Sequence, residues 1–71
     1  MNGNELLKRL RKLARQRGLQ VRLVRERGKG SHGTLYLGKR YTIMKDRKQE
    51  IGPGLLATML RNLGLTKQDI E

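Results

Sequence analysis

Thr34-Leu35-Tyr36-Leu37-Gly38-Lys39-Arg40-Tyr41-Thr42-Ile43-Met44 is the stretch on which the fold turns. Residues 34–37 and 41–44 are rich in leucine, tyrosine and β-branched side chains and are short, which reads as two strands. Gly38-Lys39 sits between them and suits a tight hairpin, because glycine tolerates the left-handed backbone that such turns demand. Period-2 alternation sends Leu35 and Leu37 to one face, toward a core, and His32, Thr34 and Tyr36 to the other. Tyr41 shares the parity of Ile43, and both are expected on the core side.

Upstream of this hairpin, Leu19, Val21 and Leu23 alternate with Gln20 and Arg22, the pattern of a half-buried strand. Arg25-Glu26-Arg27-Gly28-Lys29-Gly30-Ser31-His32-Gly33 then forms a loop of glycines and cations. Further upstream, Leu6, Leu7, Leu10, Leu13 and Ala14 recur at helical spacing as one apolar stripe. Asn2 or Asn4 can cap that helix, Glu5 suits its first turn and Gly18 supplies the stop. Downstream, residues 45–49 read as polar loop, and Pro53 fits the first turn of a second helix. Leu55, Leu56, Met59, Leu60 and Leu63 supply its stripe, Gly64 ends it, and Thr66 with Asp69 has capping-box spacing for a last turn. The expectation is a single α+β domain spanning residues 1–71, in the order α-β-β-β-α. It has a three-stranded antiparallel sheet with two helices on one face and the other face open.

Seventeen Lys and Arg oppose six acids, a formal net charge of +11 in 71 residues. Such a chain attracts polyanions, and net charge speaks to partners rather than to fold. Residues 5–29 hold ten of the cations against Glu5 and Glu26 alone, whereas residues 51–71 hold only Arg61 and Lys67. Polyanion binding is therefore expected at one end of the molecule, with RNA as the favoured partner. No apolar run approaches the ~18 residues of a membrane span, and the basic helix lacks the Trp or Phe usual at a membrane surface. The absence of cysteine excludes disulfides and thiolate metal sites, and one histidine is too few for an all-protein zinc site. Asp46 and Glu50 flank a basic loop and read as ion-pair partners, so neither metal nor cofactor is expected. Location in the cytoplasm and a monomer when free complete this reading.

His32 is the sole histidine. Most lone loop histidines are surface or turn residues. The alternative is chemical: a neutral imidazole can take the proton of a ribose 2′-hydroxyl or return one to the leaving oxygen. Nearby cations in the sequence should disfavour imidazolium, so that it would start as the neutral base. Glycines let backbone N–H groups approach a phosphate while Lys29 and Arg27 add charge. Lys8, Arg11 and Lys12 of the first helix and Lys39 of the hairpin are further candidate phosphate contacts. Ser31 is a candidate RNA contact, and Tyr36 on the open face can stack on a base.

Gly30-Ser31-His32 opening the second strand resembles the signature of HicA-type toxins. So does Glu50-Ile51-Gly52-Pro53-Gly54-Leu55-Leu56-Ala57-Thr58-Met59-Leu60, followed by Asn62-Leu63-Gly64-Leu65. The similarity runs from the first helix to Leu65. It differs at Gly33, where many relatives carry a second His or a bulky residue, and at Met44-Lys45-Asp46, where many carry Pro-x-His. The resemblance implies a double-stranded-RNA-binding-like fold and an mRNA interferase, an endoribonuclease whose catalytic residue is His32 and whose inhibitor is a HicB-type antitoxin. A non-catalytic basic RNA-binding module, ribosome-associated or bound to structured RNA, is the alternative from another class. A catalytically dead toxin relative is a third.

Overall fold

The computed structural model describes residues 1–25 and 33–71. Its elements are α1 (Gly3–Arg17), β1 (Val21–Arg25), β2 (Gly33–Leu37), β3 (Arg40–Met44), α2 (Pro53–Asn62) and a 3-10 turn (Lys67–Ile70). The class and order are those expected, α+β with α-β-β-β-α. Asn2 rather than Asn4 caps α1, its side-chain oxygen accepting from the Glu5 N–H at 2.9 Å. Gly18 stops the helix at φ +67°, and Pro53 opens α2. Gly38 turns the hairpin at φ +59°, the sign needed at the first central position of a two-residue loop.

The strands form an antiparallel meander in the order β1-β2-β3. Directly opposed residues of antiparallel strands share a face. Leu23, Leu35 and Thr42 form one row, and Val21, Leu37 and Arg40 the next on the same side. Leu35, Leu37 and Met44 meet Leu6, Leu7, Leu10, Leu13 and Ala14 of α1 and Leu56, Met59 and Leu60 of α2. Leu63, Leu65 and Ile70 complete this core, so both helices lie on one face of the sheet. Thr42 is the one buried polar residue among those described. Its hydroxyl accepts from the Asn62 side-chain amide at 3.0 Å, which ties the end of α2 to β3 without an unsatisfied group.

Three expectations change. Tyr41 and Ile43 are 59% and 52% exposed and lie on the open face, not in the core. With only two residues in the hairpin loop, Leu37 pairs with Arg40 and Tyr36 with Tyr41, so Tyr41 must share the face of Tyr36. Leu55 is 45% exposed: Leu56, Met59, Leu60 and Leu63 already satisfy the i, i+3, i+4, i+7 stripe, and Leu55 falls about 100° away from Leu56 around the helix. Leu19 precedes β1 and is likewise exposed.

Two glycines in helical first turns lead to opposite expectations. A Cβ on Gly3 would stand 2.8 Å from the Cα of Arg47, whose carbonyl accepts from the Asn4 N–H at 3.0 Å. Gly3→Ala is therefore expected to destabilise by about 1–3 kcal/mol, the usual cost of overpacking, despite alanine's better helix propensity. A Cβ on Gly54 meets nothing within 4 Å, and Gly54→Ala should stabilise by about 0.4–1 kcal/mol. Urea unfolding of the pair checks this; a Gly3→Ala midpoint at or above wild type would refute the close approach.

At the C-terminal turn, Asp69 accepts from the Thr66 backbone N–H at 2.8 Å and from the Arg17 guanidinium at 2.8 Å. These bonds hold its carboxyl below the ordinary aspartate value, the Thr66 N–H contributing most and Arg17 next. The sign follows from linkage: a carboxyl depressed in the folded state contributes stability above its unfolded pKa and loses it as pH falls through the folded value. Stability should thus decline on the acid side of ordinary aspartate titration, and Asp69→Asn should flatten that decline. Thermal melts of both proteins across the acid range measure it; identical acid slopes would remove Asp69 from the account.

Candidate nucleic-acid interface

Arg27, Lys29, Ser31 and His32 lie outside the described residues. The flanking residues Arg25 and Gly33 are opposite each other at one end of the sheet, and Gly33 is also opposite Met44. An open groove forms at this end, its polar lining coming from Asn4, Arg25, Lys45, Asp46, Arg47 and Lys48 around Gly33. Asp46 accepts from the Lys48 backbone N–H at 2.9 Å. Among the described residues Arg25, Lys45, Arg47 and Lys48 enter no ion pair. The expectation of ion pairs for the two acids is met at Glu50, which pairs with the N-terminal amine, whereas Asp46 caps a turn. Gly33 has a local reason to lack a side chain, since a Cβ there would stand 2.9 Å from the Val24 carbonyl oxygen.

Lys8, Arg11 and Lys12 are exposed on the side of α1 opposite Leu6, Leu10 and Leu13. They face away from the sheet together with Arg15, and none of the four enters an ion pair among the described residues. The other two cations of α1 are held: Arg9 donates to Glu5 and to the Ile70 carbonyl, and Arg17 to Asp69. Like charges at i,i+4 repel, so Lys8–Lys12 and Arg11–Arg15 are not placed for helix stability.

Tyr36 is half-buried on the open face of the sheet, as expected. Lys39 is exposed at the hairpin and borders a shallow groove with Tyr36 and Arg22. About 13 Å of strand separates that end from Gly33. Among the described residues the cations therefore occupy three places: the groove at Gly33, the outer face of α1, and the open sheet face with Lys39. Lys39 and the α1 cations are not among the residues that line the groove at Gly33.

Sequence reasoning missed Lys45, Arg47 and Lys48, which it read as loop. The signal was the hairpin register: with residue 44 opposite residue 33, whatever follows Met44 falls beside the start of β2. It also missed Arg22 and Tyr41 as neighbours of Tyr36. Among the described residues no three His, Cys, Asp or Glu gather where they could hold a metal ion, and no helix is long and apolar enough to cross a membrane. No protein-family model, curated protein or solved structure matches the chain.

Proposed function

We propose that this chain binds RNA and cleaves it as a metal-independent mRNA interferase, with His32 as general acid/base. The observation that supports the reading is the groove at Gly33, the residue that follows His32 in sequence: Arg25, Lys45, Arg47 and Lys48 line it against the one acid Asp46, and none of these four cations enters an ion pair among the described residues. Cations in such a groove suit the phosphate backbone and stabilise charge on a pentacoordinate phosphorus. In the reaction, His32 removes the proton of a 2′-hydroxyl and the oxygen attacks the adjacent phosphorus. The P–O5′ bond then breaks, the 5′-oxygen taking a proton back from the His32 imidazolium, which leaves a 2′,3′-cyclic phosphate and a 5′-hydroxyl. Lys29, Arg27 and Ser31 would assist from the same sequence segment. A HicB-type antitoxin, acting in the cytoplasm with its toxin, would neutralise the chain most simply by covering this end of the sheet, using acids to complement its cations.

A non-catalytic RNA-binding module is favoured by a different observation. Lys8, Arg11, Lys12 and Arg15, which enter no ion pair among the described residues, face away from the sheet and outside the groove at Gly33. Both readings demand salt-sensitive binding, with log Kd rising against log salt by about 0.7 per phosphate contacted on a single strand. Lys8→Gln with Lys12→Gln should reduce that slope by about 1–2 and leave the fold intact. A flat titration of wild type between low and physiological salt would sink the polyanion reading. Long transcripts incubated with wild type in EDTA then separate the two: cyclic-phosphate ends support the interferase, and intact transcripts support the module.

A further inference from the structure

The chain has two tyrosines and no Trp or Phe, and β-pairing places the two tyrosines opposite each other on the open face. Their ring centroids are 6.0 Å apart at an interplanar angle of 45°. Arg22, next in the same row, holds its guanidinium carbon 5.9 Å from the Tyr36 ring centroid. The neighbouring row is Val24, Thr34 and Ile43, with Val24 42% and Ile43 52% exposed. No acid occupies either row, and Lys39 borders the Tyr36 end. A sheet face meant only for solvent carries polar residues. This one presents a guanidinium, two rings, two aliphatic side chains and a single hydroxyl side chain, Thr34.

We propose that this face is a stacking platform for the unpaired bases of single-stranded RNA, with Arg22, Tyr36 and Tyr41 as its stacking row and Lys39 as a phosphate contact at its edge. The proposal rests on RNA being the partner and adds which form of it is held and where. Aromatic rings and arginine planes stack on any base, whereas a duplex hides its bases' faces and offers only grooves and phosphates. The charge favours nucleic acid over a protein strand as the occupant: the face and its rim are cationic, on a chain of net charge +11.

The chain supplies its own reporter, because every tyrosine lies on the proposed platform. The test uses a dye-labelled 2′-O-methyl uridine decamer, which lacks the attacking hydroxyl and so cannot be cut. Its anisotropy is followed together with tyrosine emission. Stacking should quench that emission with the same midpoint as the anisotropy. An abasic decamer and a 10-base-pair duplex should bind without quenching. Tyr41→Ala and Tyr36→Ala should each weaken binding of the single strand by about 5- to 150-fold, the usual cost of one lost stacked base. Tyr41→Phe should retain it, and backbone circular dichroism verifies that each variant is folded. Binding with unchanged emission, or a folded Tyr41→Ala of wild-type affinity, would overturn the platform and leave the face to a protein partner. Failure of every RNA to bind at low salt would instead overturn the RNA reading from which the platform starts.

Discussion

His32→Ala should cut long transcripts about 10²- to 10⁴-fold more slowly than wild type, the range for loss of a general acid/base, while RNA affinity stays nearly unchanged. The asymmetry comes from where the two free energies reside. In the proposed reading, binding is distributed over many cations, among them Arg25, Lys45 and Lys48 at the groove and Lys8, Arg11 and Lys12 on α1, whereas proton transfer would rest on one imidazole. The chain has no second histidine to take over that role. Single-turnover cleavage in EDTA, with anisotropy on an uncleavable RNA, measures both quantities on one preparation. If the alanine variant cuts as fast as wild type, the proton is moved by another group and the mechanism fails. Cleavage that requires added divalent metal would also remove the metal-free scheme.

Leu10→Ala should unfold a large fraction of the protein. Leu10 is fully buried among the leucines that α1, β2 and α2 bring together. Truncating a buried leucine costs about 2–5 kcal/mol, through lost transfer free energy and the cavity left behind. A single core in a chain of this size rarely supplies more than about 3–5 kcal/mol in total, and no disulfide reinforces it. One substitution is therefore of the order of the whole. Leu55→Ala is the matched control: Leu55 is 45% exposed, and its truncation should cost well under about 1 kcal/mol. Circular dichroism against urea checks both. A Leu10→Ala midpoint close to that of Leu55→Ala would contradict the packing described for α1.

The helices were legible in the sequence because their signals are local. The α1 stripe, its asparagine cap, the Gly18 stop and Pro53 at the start of α2 each act within a few residues. Tyr41 was misplaced because its face depends on counting through the turn. Pairing of Leu37 with Arg40 fixes it, and the apolar character of Ile43 pointed the other way. The groove was harder still. Arg25 and Lys45 are twenty positions apart, and only the strand pairing of β1 with β2 and β2 with β3 gathers them at one end. That Lys8 and Tyr36 occupy opposite sides of the molecule was likewise invisible until α1 had a sheet face to pack on.

Because each strand pairs with its neighbour in sequence, the sheet closes only short loops: two residues between β2 and β3, seven between β1 and β2. Loop-closure entropy grows as about (3/2)RT ln n, so zipping this sheet is entropically undemanding. Docking the start of α1 is another matter. Its first turn meets the chain again at Arg47, through the Asn4 N–H and the close contact at Gly3, after more than forty intervening residues. In kinetic terms the meander is a local event and the seating of α1 a long-range one. Topologies rich in neighbouring contacts fold fast, so the barrier is expected at the step that seats the start of α1 against Arg47.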